Sequence, residues 1–161
     1  MTPEERLEAM GIRLPSAPEP VGSYIPAVRA GRLVFLSGML PLREGKLQRK
    51  GRVGEAVGLE DAKEEAKTAA VNALSALKAH IGSLDKVLRC VRLCGYVASA
   101  PDFTEQPKVL DAASDFLRDV FGDAGRHVRS AVGVSVLPMN SPVEMDFIFE
   151  VEEITQAPVA P

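Results

Sequence analysis

Two stretches of the chain pair a fixed cation with a titratable acid. Arg129 opens the run Arg129-Ser130-Ala131-Val132-Gly133-Val134, and Glu144 follows fifteen residues on, in Val143-Glu144-Met145. A guanidinium presents a planar fork of donors that fits a carboxylate, each charged hydrogen bond contributing about 1.5–3 kcal/mol. A carboxylate such as Glu144 can orient or deprotonate an attacking water, a role worth about 10²–10⁴ in rate. Tyr24, in a loop before the first predicted strand, can cover a bound molecule or donate its hydroxyl. Ser37 can hold a water or a carboxylate, and backbone amides near Ser130 and Ala131 can contact one as well. Glu144 and Tyr24 are therefore the candidate catalytic residues; Arg129, Ser37, Ser130 and Ala131 are the candidate binding residues.

Each has a plainer reading. Arg129 can be a surface or interface ion-pair partner, and Glu144 can belong to a solvated acidic face with Asp146 and Glu150. Tyr24 can be a packing aromatic and Ser37 a strand-end hydroxyl. His127 reads as a solvent-exposed loop residue, and Asp111 and Ser114 as ordinary polar-face residues of a helix. A hairpin about Met139-Asn140 predicts Glu144 opposite residues 134–136. The pair need not touch within one chain; the site can join them across a cleft or borrow one from a neighbouring subunit.

Other chemistries find little to build on. Cys90 and Cys94, four apart on one predicted strand, place their Cα atoms about 13 Å apart, too far for a disulfide. His80 and His127 are not spaced from them as metal ligands, so a metal-free, reduced domain without a cofactor is expected. The 161 residues suit one domain with a proper core, 46% of them hydrophobic and 25% charged. The net charge of -3 argues against a general nucleic-acid binder. No apolar run approaches the length of a membrane span, and the start, Met-Thr-Pro-Glu-Glu-Arg, is acidic where a secretory signal is basic. A cytoplasmic location is expected.

The elements that must position these residues follow from periodicity. Thr2, Pro3 and Glu5 form a capping box for a short helix with Leu7 and Met10 on its apolar edge, stopped by Gly11. Pro15, Pro18 and Pro20 make a connector, so residues 1–20 are read as an extension. Strands are predicted at 25–30 and 33–37, joined at Gly31-Arg32. Residues 43–58 read as a long surface loop with room for a short edge strand. Residues 59–81 carry apolar side chains at helical spacing, many of them alanine, and Gly82 ends the helix. A strand at 86–98 carries Arg89 and Arg92, predicted on opposite faces. A second helix spans 103–121, and strands follow at 128–137 and 143–151. In the last, Val143, Met145, Phe147, Phe149 and Val151 alternate with Glu144, Asp146 and Glu150. Residues 154–161 read as a frayed tail. Right-handed crossovers then put both long helices on one face of a mixed α+β sheet. The other face, partly polar, is expected to meet another subunit.

The run from Arg129 to Glu144, with Gly22-Ser23-Tyr24 and Phe35-Leu36-Ser37-Gly38, resembles the RidA/YjgF family over roughly residues 20–153. The resemblance implies a chorismate-mutase-like α+β fold, three subunits packing their sheets into a central barrel, and clefts between subunits. It implies hydrolysis of enamine and imine intermediates of amino acids to 2-oxo acids and ammonia. The expected partners are a small carboxylate or imino-acid ligand and two further copies of the chain. Five positions depart from the family pattern. His127-Val128 replaces Pro-Ala before the arginine, Ala131 replaces a cysteine, and Met39 replaces the glutamine after Ser37-Gly38. Ser114 stands where an asparagine is usual. A divergent subgroup with a rebuilt pocket is the reading, and a ligand-binding module without turnover is the alternative to the hydrolase. A ribonuclease is disfavoured by the charge, by aromatic residues at 5%, and by the lack of a histidine pair.

Overall fold

A computed structural model describes residues 1–20 and 22–153. The expected tail at 154–161 lies outside the described residues. A short helix α1 (Pro3–Ala9) is followed by strands β1 (Ala27–Ala30) and β2 (Leu33–Met39), and by a small hairpin of β3 (Leu42–Arg43) and β4 (Lys46–Leu47). The long helix α2 (Leu59–Ile81), strand β5 (Val87–Ala98), helix α3 (Gln106–Phe121) and strands β6 (Val128–Val134) and β7 (Val143–Val151) complete the chain. The main sheet runs β1-β2-β7-β5-β6, with β5 and β6 parallel and every other pair antiparallel. No helix among the described residues is long and apolar enough to cross a membrane.

Strand β7 forms the centre because its alternation is uninterrupted. Val143, Met145, Phe147, Phe149 and Val151 are all buried beneath the helices. Ala62, Ala66, Ala69, Ala70 and Ala73 on α2 are fully buried against the same core. Their small side chains let the helix lie close to the sheet, over a core whose largest buried side chains include Phe116, Phe147 and Phe149. Each interior methylene removed from water contributes about 0.8 kcal/mol, so the nine-residue strand is a large share of the core.

Three expectations change. The first is the position of β6. It lies beside β5, not beside β7, so the predicted hairpin about Met139-Asn140 does not form. The β5–α3–β6 unit is a parallel crossover, and β7 inserts between β2 and β5. A tight turn with Met139 and Asn140 both at positive φ carries the chain past the end of β5, where the Ala98 amide donates to Pro142 O. Glu144 therefore pairs with Tyr96, whose other neighbour is Val132.

The second is the facing of the arginines on β5. Register shifts between Val87 and Arg89 and between Cys90 and Arg92 each add one residue. A bulge of this kind restores facing after an odd step. Arg89 pairs with Glu150 and Arg92 with Ile148, so both lie on the open face, away from the helices. The Arg89 guanidinium and that of Arg32 meet the Glu150 carboxylate there, at 3.3 and 3.1 Å. Cys90 faces the core and Cys94 the open face, and both thiols are free. Burial pushes the Cys90 thiol up to about 12.

The third is the segment 43–58. Glu44 and Gly45, both at positive φ, close the β3–β4 turn, as two-residue hairpins favour. Val53 is buried and bridges the end of β5, its amide donating to Ala98 O and its carbonyl accepting from Ala100 N. Arg49 binds Glu65, Glu64 and Asp61 of α2 at 2.7, 3.0 and 3.1 Å. Charge density that reads as a loop is thus a clamp.

The capping box at Thr2 and Glu5 forms as expected, and Gly11 takes positive φ just beyond the helix end. Leu7 joins the main core, whereas Met10 is exposed. The Glu4 carboxylate accepts from Lys78 Nζ, Ser83 Oγ and Leu84 N at 2.7, 2.8 and 2.9 Å. The Lys78 hydrogen bond holds its carboxyl below the usual range despite some burial.

Candidate functional site

The candidate residues fall into two groups on opposite faces of the sheet. Tyr24, Ser37 and Glu144 line one cavity of about 410 Å³ on the open face. The Ser37 amide donates to Pro26 O and its hydroxyl to Ile25 O at 2.6 Å, which ties the end of β2 to the chain entering β1. The register of β2 against β7 breaks between Leu36 and Met39. That irregularity turns Ser37 and Gly38 toward the cleft while Met39 returns to the core.

Gly38 is the residue that lets Glu144 sit where it does. A Cβ on Gly38 would lie 2.1 Å from Glu144 Oε1 and 3.0 Å from its carboxyl carbon. The carboxyl group therefore rests directly on the glycine backbone. Glu144 is half-buried, and burial first, then the nearby Asp146 charge, raises its pKa above the ordinary carboxylate value. A carboxyl that holds its proton to higher pH is better matched to shuttling one near neutrality. Asp146 accepts from the Tyr96 hydroxyl at 3.3 Å, and Cys94 and Asp146 together hold that phenol above its ordinary value.

Arg129 is elsewhere. On β6 it pairs with Leu93, so its side chain leaves the sheet on the helix side. Nη1 donates to Asp111 Oδ1 at 2.9 Å and to Ser114 Oγ at 3.1 Å, and Nη2 donates to Pro107 O at 3.3 Å. Asp111 and Ser114 are three apart on α3, the spacing that puts two side chains on one helix face. His127 extends the chain of bonds: its Nε2 is 3.0 Å from Ser114 Oγ and its Nδ1 is 2.7 Å from Gly125 O. The carbonyl can only accept, so Nδ1 carries the proton and Nε2 accepts from the serine hydroxyl. Burial, and then the Arg129 charge, lower the pKa of His127. Three of the five guanidinium hydrogens are engaged. Among the described residues, Nε–H and one Nη2 hydrogen have no partner.

His127 is thus a bonded, half-buried residue and not an exposed loop histidine. Asp111 and Ser114 are partners of Arg129 and not ordinary polar-face residues. The plain reading of Arg129 as an ion-pair partner holds within one chain. Ser130 sits on the open face opposite Cys94, and Ala131 on the helix face opposite Gly95. Because β6 is an edge strand, one of these two consecutive amides points away from β5. The cavity around Glu144 gains walls that sequence reasoning did not assign: Pro18, Glu19 and Pro20 from the proline-rich segment, and Pro138 from the turn before β7. Among the described residues no three His, Cys, Asp or Glu side chains are grouped to hold a metal ion.

Comparisons place these features among known proteins. Residues 4–151 match the family model described as "YjgF/chorismate_mutase-like, putative endoribonuclease". Protein TCP17 of Trypanosoma cruzi is 38% identical, over 89% of this chain and 91% of its own. The 2-iminobutanoate/2-iminopropanoate deaminase of Dermatophagoides farinae is 30% identical, over 88% of this chain and 95% of its own. The crystal structure of protein Atu1372 from Agrobacterium tumefaciens, of unknown function, superposes with a TM-score of 0.87 at 41% identity, covering 93% of this chain and 92% of that one.

Proposed function

Since the chain belongs to the YjgF/chorismate-mutase-like family, that of the RidA/YjgF proteins, we propose that it hydrolyses imine and enamine intermediates of amino acids to 2-oxo acids and ammonia. The observation that carries the reading is the placement of the Glu144 carboxyl on the Gly38 backbone, beside Tyr24 and Ser37, in a cleft large enough for an amino-acid skeleton. Water adds to the imine carbon while Glu144 takes its proton. Glu144 then carries that proton, and after it the carbinolamine hydroxyl proton, to nitrogen; the C–N bond breaks, ammonia leaves, and the hydroxyl oxygen becomes the ketone of the 2-oxo acid. Tyr24 covers the substrate, and Ser37 holds the water or a substrate oxygen.

The substrate carboxylate needs a cation, and the described residues lining this cleft include no Lys, Arg or His. Arg129, on the other face, keeps Nε–H and one Nη2 hydrogen unengaged among the described residues. The reading therefore places the active sites between copies, with the Arg129 guanidinium of one facing the Glu144 cleft of the next. Val28, Phe35, Val128 and Val132 are exposed on the open face, and a trimer packed through it covers them. Backbone amides at Ser130 and Ala131 would then border the same cleft.

The test is ammonia and 2-oxo-acid release from imines generated in situ by an amino-acid oxidase. Acceleration over buffer that disappears in Glu144→Gln is expected; no acceleration with any of several amino acids overturns the proposal. One observation favours a second reading, a carboxylate-binding module without turnover. The guanidinium already has three protein partners, an arrangement suited to holding a ligand still. Thermal stabilisation by 2-oxo acids without ammonia release would select it. RNA cleavage that survives repeated purification would replace both.

A further inference from the structure

The Arg129 nest contains a titratable group that the proposed chemistry does not use. His127 Nδ1 donates to Gly125 O, so Nε2 is an acceptor and takes the Ser114 hydroxyl hydrogen at 3.0 Å. The same Ser114 oxygen accepts from Arg129 Nη1 at 3.1 Å. One serine oxygen therefore links the imidazole to the guanidinium. Ser114 and His127 are two of the departures from the motif pattern, and the structure puts them in contact.

The other charges near the ring have fixed partners or lie further along the turn. Arg118 pairs with Asp115 at 3.4 Å and Arg126 with Asp123 at 3.5 Å. Asp111 holds the far side of Arg129, and Arg6 of α1 lies against Gly122 at the start of the turn. A cavity of about 240 Å³ is bordered by Arg118, Arg126, His127 and Arg129. Of these groups, Arg129 is the one whose charge a bound carboxylate would offset. Burial first, and then the Arg129 charge, oppose protonation of His127.

We propose that His127 is a positioning residue for the carboxylate site, taking up a proton when a carboxylate binds at Arg129 and reversing its hydrogen bond to Ser114 as it does so. The proposal rests on the reading given above, in which Arg129 holds the carboxylate of the ligand. Its sign follows from reciprocity. A cation opposes protonation of the ring less once an anion lies against it, so the anion binds the protonated form more tightly by the same factor. The protons balance. One from solvent adds to Nε2, Nε2–H donates to Ser114 Oγ, and the serine hydrogen turns off the ring toward the anion. Ser114 Oγ has two lone pairs, one for Nε2–H and one for Arg129 Nη1–H, so both donors stay satisfied.

The experiment uses the full chain carrying Glu144→Gln, which stops turnover and removes the carboxyl of raised pKa from the cleft. The probe is 2-oxobutanoate, whose carboxyl stays ionised well below neutrality. Its Kd should fall about threefold or more between about pH 7.5 and about pH 5.5, and should stay level once His127→Gln is added. Proton NMR reads the linkage directly in the Glu144→Gln chain. The chain has two histidines, and the exposed His80 serves as the reference. Saturation with 2-oxobutanoate should raise the titration midpoint of His127 and leave that of His80 in place. The same pH dependence of Kd with and without His127→Gln, or a His127 midpoint unmoved by the ligand, overturns the proposal. Weaker binding at both pH values with its slope kept would be a purely structural effect of His127→Gln and overturns it too. Imine turnover by the wild type with an unlinked His127 sinks this proposal alone. Proton-linked binding with no turnover by the wild type sinks the hydrolase reading alone. No binding at either pH overturns both this proposal and the carboxylate role of Arg129.

Discussion

The Glu144 cleft and the Arg129 nest are built by opposite means. The cleft is made where the sheet is irregular: a register break in β2, a glycine, a proline-rich segment and a turn at positive φ. Its carboxyl is half-buried, and burial raises its pKa above the ordinary carboxylate value. The nest rests on regular elements, one strand and one helix, and ties Arg129, Asp111, Ser114 and His127 into one chain of hydrogen bonds. The difference teaches where each job is done. On the proposed reading, the group that exchanges a proton sits in a partly apolar, adjustable place, and the group that only holds a charge sits in a rigid hydrogen-bonded one. The two lie on opposite faces of one sheet, so joining them takes a second copy of the chain.

The largest effect tests that joining. Arg129→Ala and Glu144→Gln should each lower imine hydrolysis by about 10²–10⁴. Mixed by co-refolding, the two inactive variants should recover about a quarter of wild-type sites in the closed oligomer, those receiving arginine from one chain and glutamate from the other. No recovery would place both groups in the same chain's site and break the comparison. Glu144→Gln should also melt no lower than wild type near neutral pH. Its raised pKa means the ionised form costs the folded state stability that is present at low pH and lost as pH rises through the folded value.

Gly38→Ala is the next test. The added methyl would displace the Glu144 carboxyl rather than backbone, and a flexible side chain can move. A misplacement of about 1 Å costs about 10²-fold in rate, so kcat should fall by that order while the melting temperature changes little. An unchanged kcat would mean that the carboxyl does not act from its place on the glycine.

Asp111→Asn probes the nest with a smaller effect. Asp111 is more than half exposed, so its ion pair with Arg129 is worth at most about 1 kcal/mol after screening. KM should rise up to about fivefold with kcat nearly unchanged, because a looser guanidinium weakens binding equally in ground and transition states. A fall in kcat alone would assign Asp111 to the chemistry.

How much of this was legible follows from where the information lies. The helix at 59–81 and the strand at 143–151 read off directly because their periods are long and unbroken. Tyr24, Ser37 and Glu144 were nameable from family-like motifs, and the structure gathers them in one cleft. The sheet order was not legible: a turn at Met139-Asn140 looks the same whether it joins neighbours or skips a strand. The bulges in β5 were hidden too, since an extra residue changes facing without changing composition. Asp111 and Ser114 had the right helical spacing, but nothing in the sequence says which strand passes over that face. Pro18 to Pro20 read as a connector because a wall made of prolines has no periodicity to detect.

The smallest effect is a pH dependence confined to the nest. Burial, and after it the Arg129 guanidinium, lower the pKa of His127 below its usual value, and the bond to Gly125 opposes them only in part. The folded state therefore binds fewer protons than the unfolded one as pH falls through the ordinary histidine range. The stability that neutral His127 supports is fully present above about pH 6.5 and is lost as pH falls toward its folded value. Protonation also turns Nε2 from an acceptor of the Ser114 hydroxyl into a donor, and places a second cation beside Arg129 on a surface where Arg118 and Arg126 already lie, with Asp111 and Asp115 as nearby acids. Melting curves between about pH 7.5 and about pH 5.5 should show a downward slope for the wild type that flattens in His127→Gln, since glutamine cannot take the proton. The same slope in both proteins would assign the loss to other groups and would leave the nest insensitive to pH, in sharper contrast still with the cleft across the sheet.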